Sequence, residues 1–493
     1  MDAPTTTKSP NAAGASLRAR LNPFVELAVG GDGTVVATID GATVSAGEIG
    51  LKPLSTGAAK LVPELKSGLA LDQLSAGEAA SEEIERLIRR LAMQGLLEFA
   101  LGHSREDDAV IIEPLIPGYW PRMPQLDDAD LLALSRFAYV RRRGNELVIE
   151  SPLADALIRI CDAKIAAALV LLSSPQSLAD LARREDFPGY ELLALLVDCQ
   201  ILFKVDPARG DGLRTGEGDE SLILWDFHDL LFHTRSTQGR HANPLGSTCP
   251  YAGQIAPLPA VRPPWPGDKI ALGDLAPAGE QDSAVTKVLH ERLSTRVFDD
   301  QHPITLSEVA RLLDAIARIR SKWDSTLHFG PSGPVVHFAK RPYPSGGASY
   351  PLELYLSVSK CDGLASGFYH YDADAHALVP IEVRQEEIDG LLLGASFATG
   401  ASVSPQILIT ITARFGRVTW KYSSIAYALI LKDVGVLMQT LYIMATDLGL
   451  GGCAIGTADI NRFARMTGLA FHVEGPVGQF TIGRPTTSPA AGR

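Results

Sequence analysis

Hydrophobic and polar positions fall into stretches with different periods. Pro23–Val29 and Thr34–Ile39 flank Gly30-Gly31-Asp32-Gly33, the pattern of a β-hairpin closed on a glycine turn. A helical stretch near 57–66 and a short Leu69–Leu74 segment follow. Next comes a longer segment in which Ile84, Leu87, Ile88 and Leu91 recur at helical spacing, with Glu82, Glu83 and Glu85 in its first turn, where the helix dipole favours acids. Asp108–Pro114 reads as a strand. A second copy of this plan begins near Arg136. A hairpin turns at Arg143-Gly144-Asn145, a helix is expected from about Ala154 to Leu172, and further helical segments lead to Ile201–Val205. Leu96–Ala100 and Ile201–Val205 close the two copies about 105 residues apart. Two strands, three helices and a closing strand describe a small winged-helix-like α+β module in tandem, and a repeat this long is a domain duplication rather than a solenoid.

The flanking segments lack such periods. Residues 1–20 are rich in Ala, Thr, Ser and Pro and read as a disordered tail. Pro257, Pro259, Pro263, Pro264 and Pro266 crowd a region that also holds Trp225, Trp265, His228, His233 and His241; it reads as an extended arm whose aromatics pack on something. From about Ala284 a compact α+β domain begins. Val288–Arg296 is expected to be helical, and Leu306, Val309, Leu312, Leu313 and Ile316 mark one face of a second helix. Strands are expected at 334–340, 353–360, 367–381 and 405–413. A long helix, apolar nearly all round, spans about 424–450 and should be buried. The expected organisation is a tail (1–20), two modules (21–115 and 130–207), an arm (208–282) and a C-terminal domain (283–493).

Charge and cysteine content narrow the function. Among 493 residues, 45 Lys and Arg stand against 57 Asp and Glu, a net charge of −12. Nucleic-acid binders show a basic footprint, so the chain is not expected to bind DNA or RNA, and Arg141–Arg143 reads as a solvated hairpin face. Cys161, Cys199, Cys249, Cys361 and Cys453 are odd in number, widely spaced and free of any CxxC pair, which argues against a disulfide framework or a zinc knuckle and for a reducing, cytoplasmic setting. The histidines show no metal-ligand spacing, and no metal is expected. Lys432, Asp433 and Gln439 interrupt the apolar run at Ala426–Ala445, which reads as a core helix rather than a membrane span.

Four segments of the C-terminal domain could carry chemistry. Arg292, Ser294 and Arg296 place two guanidiniums and a hydroxyl within five residues, able to grip a phosphate and a polar ring edge. Pro344-Ser345-Gly346-Gly347 lets the backbone approach a ligand closely. Trp420-Lys421-Tyr422 sets a lysine, a possible base, at the mouth of an apolar helix. Leu448–Gly456 is glycine-rich but ends a helix instead of opening one, so it is not a dinucleotide fingerprint.

Together and in this order, with Gly483-Arg484-Pro485 at the end, these segments resemble the FMN-dependent nitroreductase fold. More closely, they resemble the SagB-type, McbC-like azoline dehydrogenases and the related cyanobactin oxidases, which act in the biosynthesis of thiazole- and oxazole-containing ribosomal peptides. The resemblance covers about Thr286–Pro485 and extends loosely into Phe227–Ser236. It implies that Arg292, Ser294 and Arg484 hold the FMN phosphate end and that Arg296 lies near the pyrimidine edge of the flavin. Pro344, Ser345, Gly346 and Gly347 would contact the flavin across a dimer interface. Leu450, Gly451 and Gly452 would lie beside the ring as a hydrogen-bond donor segment. Lys421 and Tyr422 match the Lys-Tyr pair tied to catalysis in azoline dehydrogenases, with either member open as the base. Leu293 stands where related flavoproteins often carry a polar or basic residue.

The activity so implied is FMN-dependent oxidation of thiazolines or oxazolines to azoles in a ribosomally made precursor peptide, with the flavin reoxidised by dioxygen. A separate cyclodehydratase would form the azoline, the N-terminal modules would recognise the leader peptide, and the enzyme would be a homodimer. The alternatives are an NAD(P)H-dependent nitro or quinone reductase, another flavin oxidase on the same scaffold, and a non-enzymatic redox-sensing regulator whose modules bind DNA.

Overall fold

A computed structural model describes residues 15–39, 42–44, 53–75, 79–104, 107–185, 187–206, 208, 217, 219–240, 246–264, 266–272, 283–326 and 333–486. The chain divides into two compact units, residues 1–223 and 224–493. Most of the expected tail, and His241 and Trp265 of the expected arm, lie outside the described residues.

In unit 1, strand β1 (Ser16–Leu21) opens the fold, followed by β2 (Val25–Val29), β3 (Val35–Ile39), β4 (Ala42–Val44) and β5 (Leu69–Ala70). Helix α1 (Ala79–Met93) leads to β6 (Leu97–Gly102) and β7 (Asp108–Pro114). The second copy contributes β8 (Leu131–Leu134), β9 (Tyr139–Arg143), β10 (Glu146–Glu150), β11 (Ala156–Ile160), α2 (Ala163–Leu171), β12 (Gln176–Ser177), α3 (Tyr190–Asp198) and β13 (Leu202–Lys204). Both glycine turns stand where the pattern placed them. Gly30 and Thr34 close the first hairpin with a 2.8 Å hydrogen bond, and Gly144 takes the left-handed backbone at φ +59° in the second.

Three expectations change here. Residues 16–20 belong to no tail: β1 pairs with β6 over six residues and with β5 on its other side. Its alternation Leu17, Ala19, Leu21 is that of a half-buried strand, short enough to be masked by the surrounding Ala and Ser. The start of the expected helix at Ala154–Leu172 is strand β11; Asp162 caps a shorter helix by accepting from the Lys164 N–H. The two copies are also not separate modules. Strands β7 and β11 pair from Val110↔Ile160 to Pro114↔Ala156, giving one seven-stranded sheet in the order β5-β1-β6-β7-β11-β10-β9. One hydrophobic core runs through both copies, from Ala19 to Leu202.

Unit 2 is built on a six-stranded antiparallel sheet. Its strands are β16 (Leu352–Val358), β17 (Gly367–Asp372), β18 (Ala377–Ile381), β19 (Ile407–Arg414), β20 (Gly451–Ile455) and β21 (Glu474–Gly483), in the order β18-β17-β16-β19-β21-β20. Strands β14 (Ser321–Thr326) and β15 (Val335–Lys340) form a separate two-stranded ribbon. The helices are α4 (Phe227–Arg235), α5 (Ala284–Glu291), α6 (Leu306–Ala317), α7 (Gln385–Thr399), α8 (Gly416–Thr419), α9 (Ala426–Asp447) and α10 (Ile460–Thr467). The single strand expected over 367–381 is a hairpin turned at His376, φ +52°.

Helix α4 corrects the reading of 208–282 as a linker throughout. His233 on α4 is fully buried and bonds the Tyr427 hydroxyl (3.2 Å) and the Phe471 carbonyl (3.3 Å). Trp225 stacks on His233, lies tilted against Phe415 and donates its indole N–H to the His472 carbonyl at 2.8 Å. Burial pushes the His233 pKa down to about 4, so the ring is neutral in the folded protein.

Helix α9 is buried along one stripe, Tyr427, Ile430, Val434, Leu437, Leu441 and Ala445, rather than all round; Val436 on another face is 37% exposed. Gly449 follows it in the left-handed conformation, φ +69°. The Gly449 N–H bonds the Thr446 carbonyl and the Leu450 N–H bonds the Ala445 carbonyl, a Schellman stop that hands the chain directly to β20.

Candidate active site

The expected site residues gather at two places along α9. The first lies over its N-terminal half. Asp433, buried among apolar neighbours, accepts from the Ser345 hydroxyl at 2.5 Å and from the Gly346 N–H at 3.1 Å. Burial raises its pKa, and the two hydrogen bonds oppose that rise. The pinned loop turns at Gly347, φ +61°, where a β-carbon would overlap the Tyr422 hydroxyl and lie 2.7 Å from Lys421 Nζ. The left-handed backbone favours glycine there, and a larger side chain would displace the ends of Lys421 and Tyr422. Lys421 Nζ donates to the Gly347 carbonyl at 3.2 Å and lies 5.4 Å from the centre of the Tyr422 ring. Two motifs separated by 74 positions in sequence thus meet in one cluster. Lys421 is exposed in the single chain and Tyr422 is half-buried.

A cavity of about 580 Å³ opens beside Lys421. Its walls include Val335–Phe338 of β15, Arg414, Arg417, Trp420 and Glu474. Arg417 bonds the Ser349 carbonyl (2.9 Å) and the His337 carbonyl (3.2 Å).

The second cluster surrounds Tyr442, near the C-terminal end of α9. The Tyr442 hydroxyl meets Ser294 Oγ at 2.9 Å and accepts the Ala454 N–H at 2.8 Å. The Arg292 guanidinium lies 5.0 Å from the centre of the Tyr442 ring. Helix α5 ends at Glu291, so Arg292, Ser294 and Arg296 lie beyond it on an extended segment, not on the helix the sequence pattern suggested. That segment is tied to β20 by the Thr295 N–H on the Gly452 carbonyl, 2.8 Å. A β-carbon on Gly451 would clash with Thr295 at 2.6 Å, so the close approach needs the glycine.

Arg292 and Arg296 have no carboxylate partner among the described residues, and Arg296 is exposed. Two guanidiniums without counterions beside a serine hydroxyl form a donor set that fits a phosphate. The Leu450 N–H is already committed to Ala445, and Gly451 and Gly452 pair with Gly483 and Ile482 of β21. Arg484 stands apart: its Nη2 lies 2.7 Å from both carboxylate oxygens of Glu308, and its Nε bonds the His302 carbonyl. Glu308 also closes the capping box of α6 with Thr305. Burial would raise its pKa, but the Thr305 N–H and Arg484 hold it below the usual carboxylate value.

Asp433 and Tyr442 are nine positions apart, roughly 14 Å along the helix and two and a half turns around it. The two clusters therefore face opposite sides of α9 and do not converge within one chain. Sequence reasoning missed both organising residues. Asp433 carried a signal, a carboxylate inside an otherwise apolar stripe; Tyr442 carried none, because an aromatic in an apolar helix reads as core.

A family model described as cyanobactin oxidase ThcOx matches residues 132–242, and the nitroreductase family model matches residues 289–484. A nitroreductase of Methanocaldococcus jannaschii is 31% identical over 169 residues, 34% of this chain and 76% of that protein. The microcin B17-processing protein McbC of Escherichia coli is 30% identical over 125 residues, 24% of this chain and 45% of McbC. The trifolitoxin-processing protein TfxB of Rhizobium leguminosarum bv. trifolii is 30% identical over 114 residues, 22% of this chain and 31% of TfxB. The chain thus spans less than half the length of the two peptide-processing relatives and three quarters of the archaeal one. With its α+β domain at 289–484 and these relatives, the chain belongs to the nitroreductase family and is an oxidoreductase.

Proposed function

We propose that this protein is an FMN-dependent azoline dehydrogenase, oxidising thiazolines or oxazolines to azoles in a ribosomally made peptide. The observation that carries the reading is the contact of Lys421 and Tyr422 with the Pro344–Gly347 loop, with Lys421 Nζ 3.2 Å from the Gly347 carbonyl. That pair distinguishes the azoline dehydrogenases from nitroreductases at large, and the similarity to McbC and TfxB, both peptide-processing proteins, points the same way.

FMN, when bound, would supply the two-electron acceptor for the hydride that leaves the ring CH₂, with dioxygen as the terminal oxidant. Arg292, Ser294 and Arg296 would hold its phosphate end and polar ring edge, and Gly451 and Gly452 would lie beside its ring. Arg484 would join them only by exchanging Glu308 for the phosphate. The azoline Cα–H is acidified by the adjacent C=N and carbonyl. The lone pair of Lys421 Nζ takes that proton, and the Tyr422 hydroxyl orients the amine or relays the proton. Asp433 holds the loop that fixes Lys421. Because the two clusters face opposite sides of α9, a second copy of the chain completes each site. Unit 1 serves as the leader-peptide recognition region, and a separate cyclodehydratase supplies the azoline.

The test is an absorbance spectrum of the purified protein followed by anaerobic addition of an azoline-bearing peptide. Flavin bands near ~450 nm and ~370 nm, bleached by the peptide and restored by air, are expected. Bleaching by NAD(P)H and not by the peptide would make the protein a reductase. Colourless protein that takes up no added FMN would remove the cofactor assignment.

A further inference from the structure

The cavity beside Lys421 has a charge pattern that the proton transfer does not explain. Arg414, Arg417 and Lys421 line it together with a single carboxylate, Glu474. Glu474 already accepts from the Tyr355 hydroxyl (2.9 Å) and Thr412 Oγ1 (2.8 Å). His337, also in the wall, is turned to Asp324 at 2.7 Å. Arg417 is held by the Ser349 and His337 carbonyls through Nε and Nη2, which leaves Nη1 without a hydrogen bond among the described residues. Arg414 is 57% exposed in its side chain and only 3.9 Å from Glu353 at its nearest. Burial, then the charges of Arg414 and Arg341, press the Arg417 pKa downward, and Glu353, which Arg341 and Arg414 share, opposes that shift only in part.

One wall of this cavity is also an open strand edge. Among the described residues, strand β15 pairs only with β14. The Lys340 carbonyl points toward the β14 side, where it accepts the Arg320 N–H, and the His337 carbonyl points away, to Arg417. By the alternation of a strand, Val335, His337 and Ala339 present their backbone groups outward, toward the cavity side. An open edge accepts an extended chain as an added strand.

We infer that this cavity binds an extended segment of the substrate peptide carrying a carboxylate side chain close to the reacting residue, with the carboxylate against Arg414 and Arg417 and the backbone along β15. The inference rests on the dehydrogenase reading for the ring at Lys421, and it adds a sequence preference, acidic over neutral or basic flanks.

The experiment measures binding and turnover separately on the full-length, flavin-loaded enzyme. Fluorescein-labelled thiazoline peptides differing only in the flanking pair (Glu-Glu, Gln-Gln or Lys-Lys) are titrated by anisotropy, and flavin bleaching is followed with the unlabelled peptides. The Glu-Glu peptide is expected to bind about fivefold more tightly than the Gln-Gln peptide, with the preference shrinking as salt rises. Arg414→Gln should erase most of that preference, and Arg414→Glu should favour the Lys-Lys peptide. Retained flavin colour and an unshifted melting temperature show that each variant is folded. Equal affinities of the wild-type enzyme for the three peptides overturn the inference, whatever the turnover. Bleaching by none of them, with the acidic preference intact, overturns the dehydrogenase reading and leaves the carboxylate-binding site standing.

Discussion

In unit 1, Arg18, Arg20, Arg141, Arg143 and Arg159 of the seven-stranded sheet meet carboxylates. Arg20 lies 2.5 Å from Glu98, Arg143 lies 2.6 Å from Glu113, and Arg159 lies 2.5 Å from Glu146. In unit 2, Arg292, Arg417 and Lys421 meet backbone carbonyls or aromatic rings and no carboxylate among the described residues. The first pattern neutralises charge inside the fold. The second keeps positive charge available for something outside the chain. The Arg141–Arg143 triplet makes the point from the other direction: Arg141 pairs with Glu150 and Arg143 with Glu113 and Glu146, while Arg142 is exposed, so a basic run in sequence is largely neutralised within the fold. A guanidinium without a counterion is a better guide to a binding site than a cluster of basic letters.

The largest effect that would break this contrast is at Lys421. Lys421→Ala should lower azole formation by about 10²–10⁴-fold, the range of a lost general base. Flavin content should be retained, and stability should stay within about 0.5 kcal/mol of wild type, since the side chain is exposed. Single-turnover bleaching with an azoline peptide measures the first and urea denaturation the second. Unchanged turnover would remove the base assignment.

Glu98→Ala in unit 1 should show the reverse. Glu98 is 2% exposed and is shared by Arg20 and Arg159. Breaking a buried pair costs about 3–5 kcal/mol. The lower end is expected, because Arg20 keeps Asp108 and Arg159 keeps Glu146. A loss below about 1 kcal/mol in urea denaturation would mean that the sheet does not depend on its internal pairing.

Acid separates the units in another way. His233 has its folded pKa pushed from 6.5 to about 4, so the unfolded chain binds its proton first as pH falls. Its contribution to unit 2 is fully present above pH ~6.5 and is lost progressively down to pH ~4, in total roughly 3 kcal/mol. His233→Leu should flatten that part of the stability profile. An equally steep loss in the variant would place the acid sensitivity elsewhere.

Elements whose evidence is local were legible in sequence: the glycine-turn hairpins, the stripe of α6 and the order of the four motifs. What stayed hidden depends on partners remote in the chain. Strand β1 is a strand because β5 and β6 flank it, and α4 belongs to unit 2 because Phe415, Tyr427 and Phe471 surround His233. The Arg484–Glu308 pair spans 176 positions, and nothing near either residue announces it. The same holds within the site: Pro344–Gly347 and Lys421–Tyr422 were visible singly, while their contact and the carboxylate beneath them were not.

That carboxylate gives the smallest and most discriminating expectation. Asp433 receives two donors, the Ser345 hydroxyl and the Gly346 N–H, and so fixes the carbonyl of Gly347 that anchors Lys421. Asp433→Asn keeps the shape but offers one acceptor oxygen in place of two, so one of the donors loses its partner. The loop loosens, and kcat should fall about tenfold, some 1.4 kcal/mol, with KM little changed. Stability should hold or rise, because a buried charge is removed. Ser345→Ala should act through the same contact, so the double variant should cost less than the sum of the two single losses. A purely structural aspartate would instead lower stability and leave kcat alone. Additive losses in kcat would show that Ser345 and Asp433 serve different parts of the site, and the cluster at Lys421 would then owe its geometry to α8 rather than to the loop.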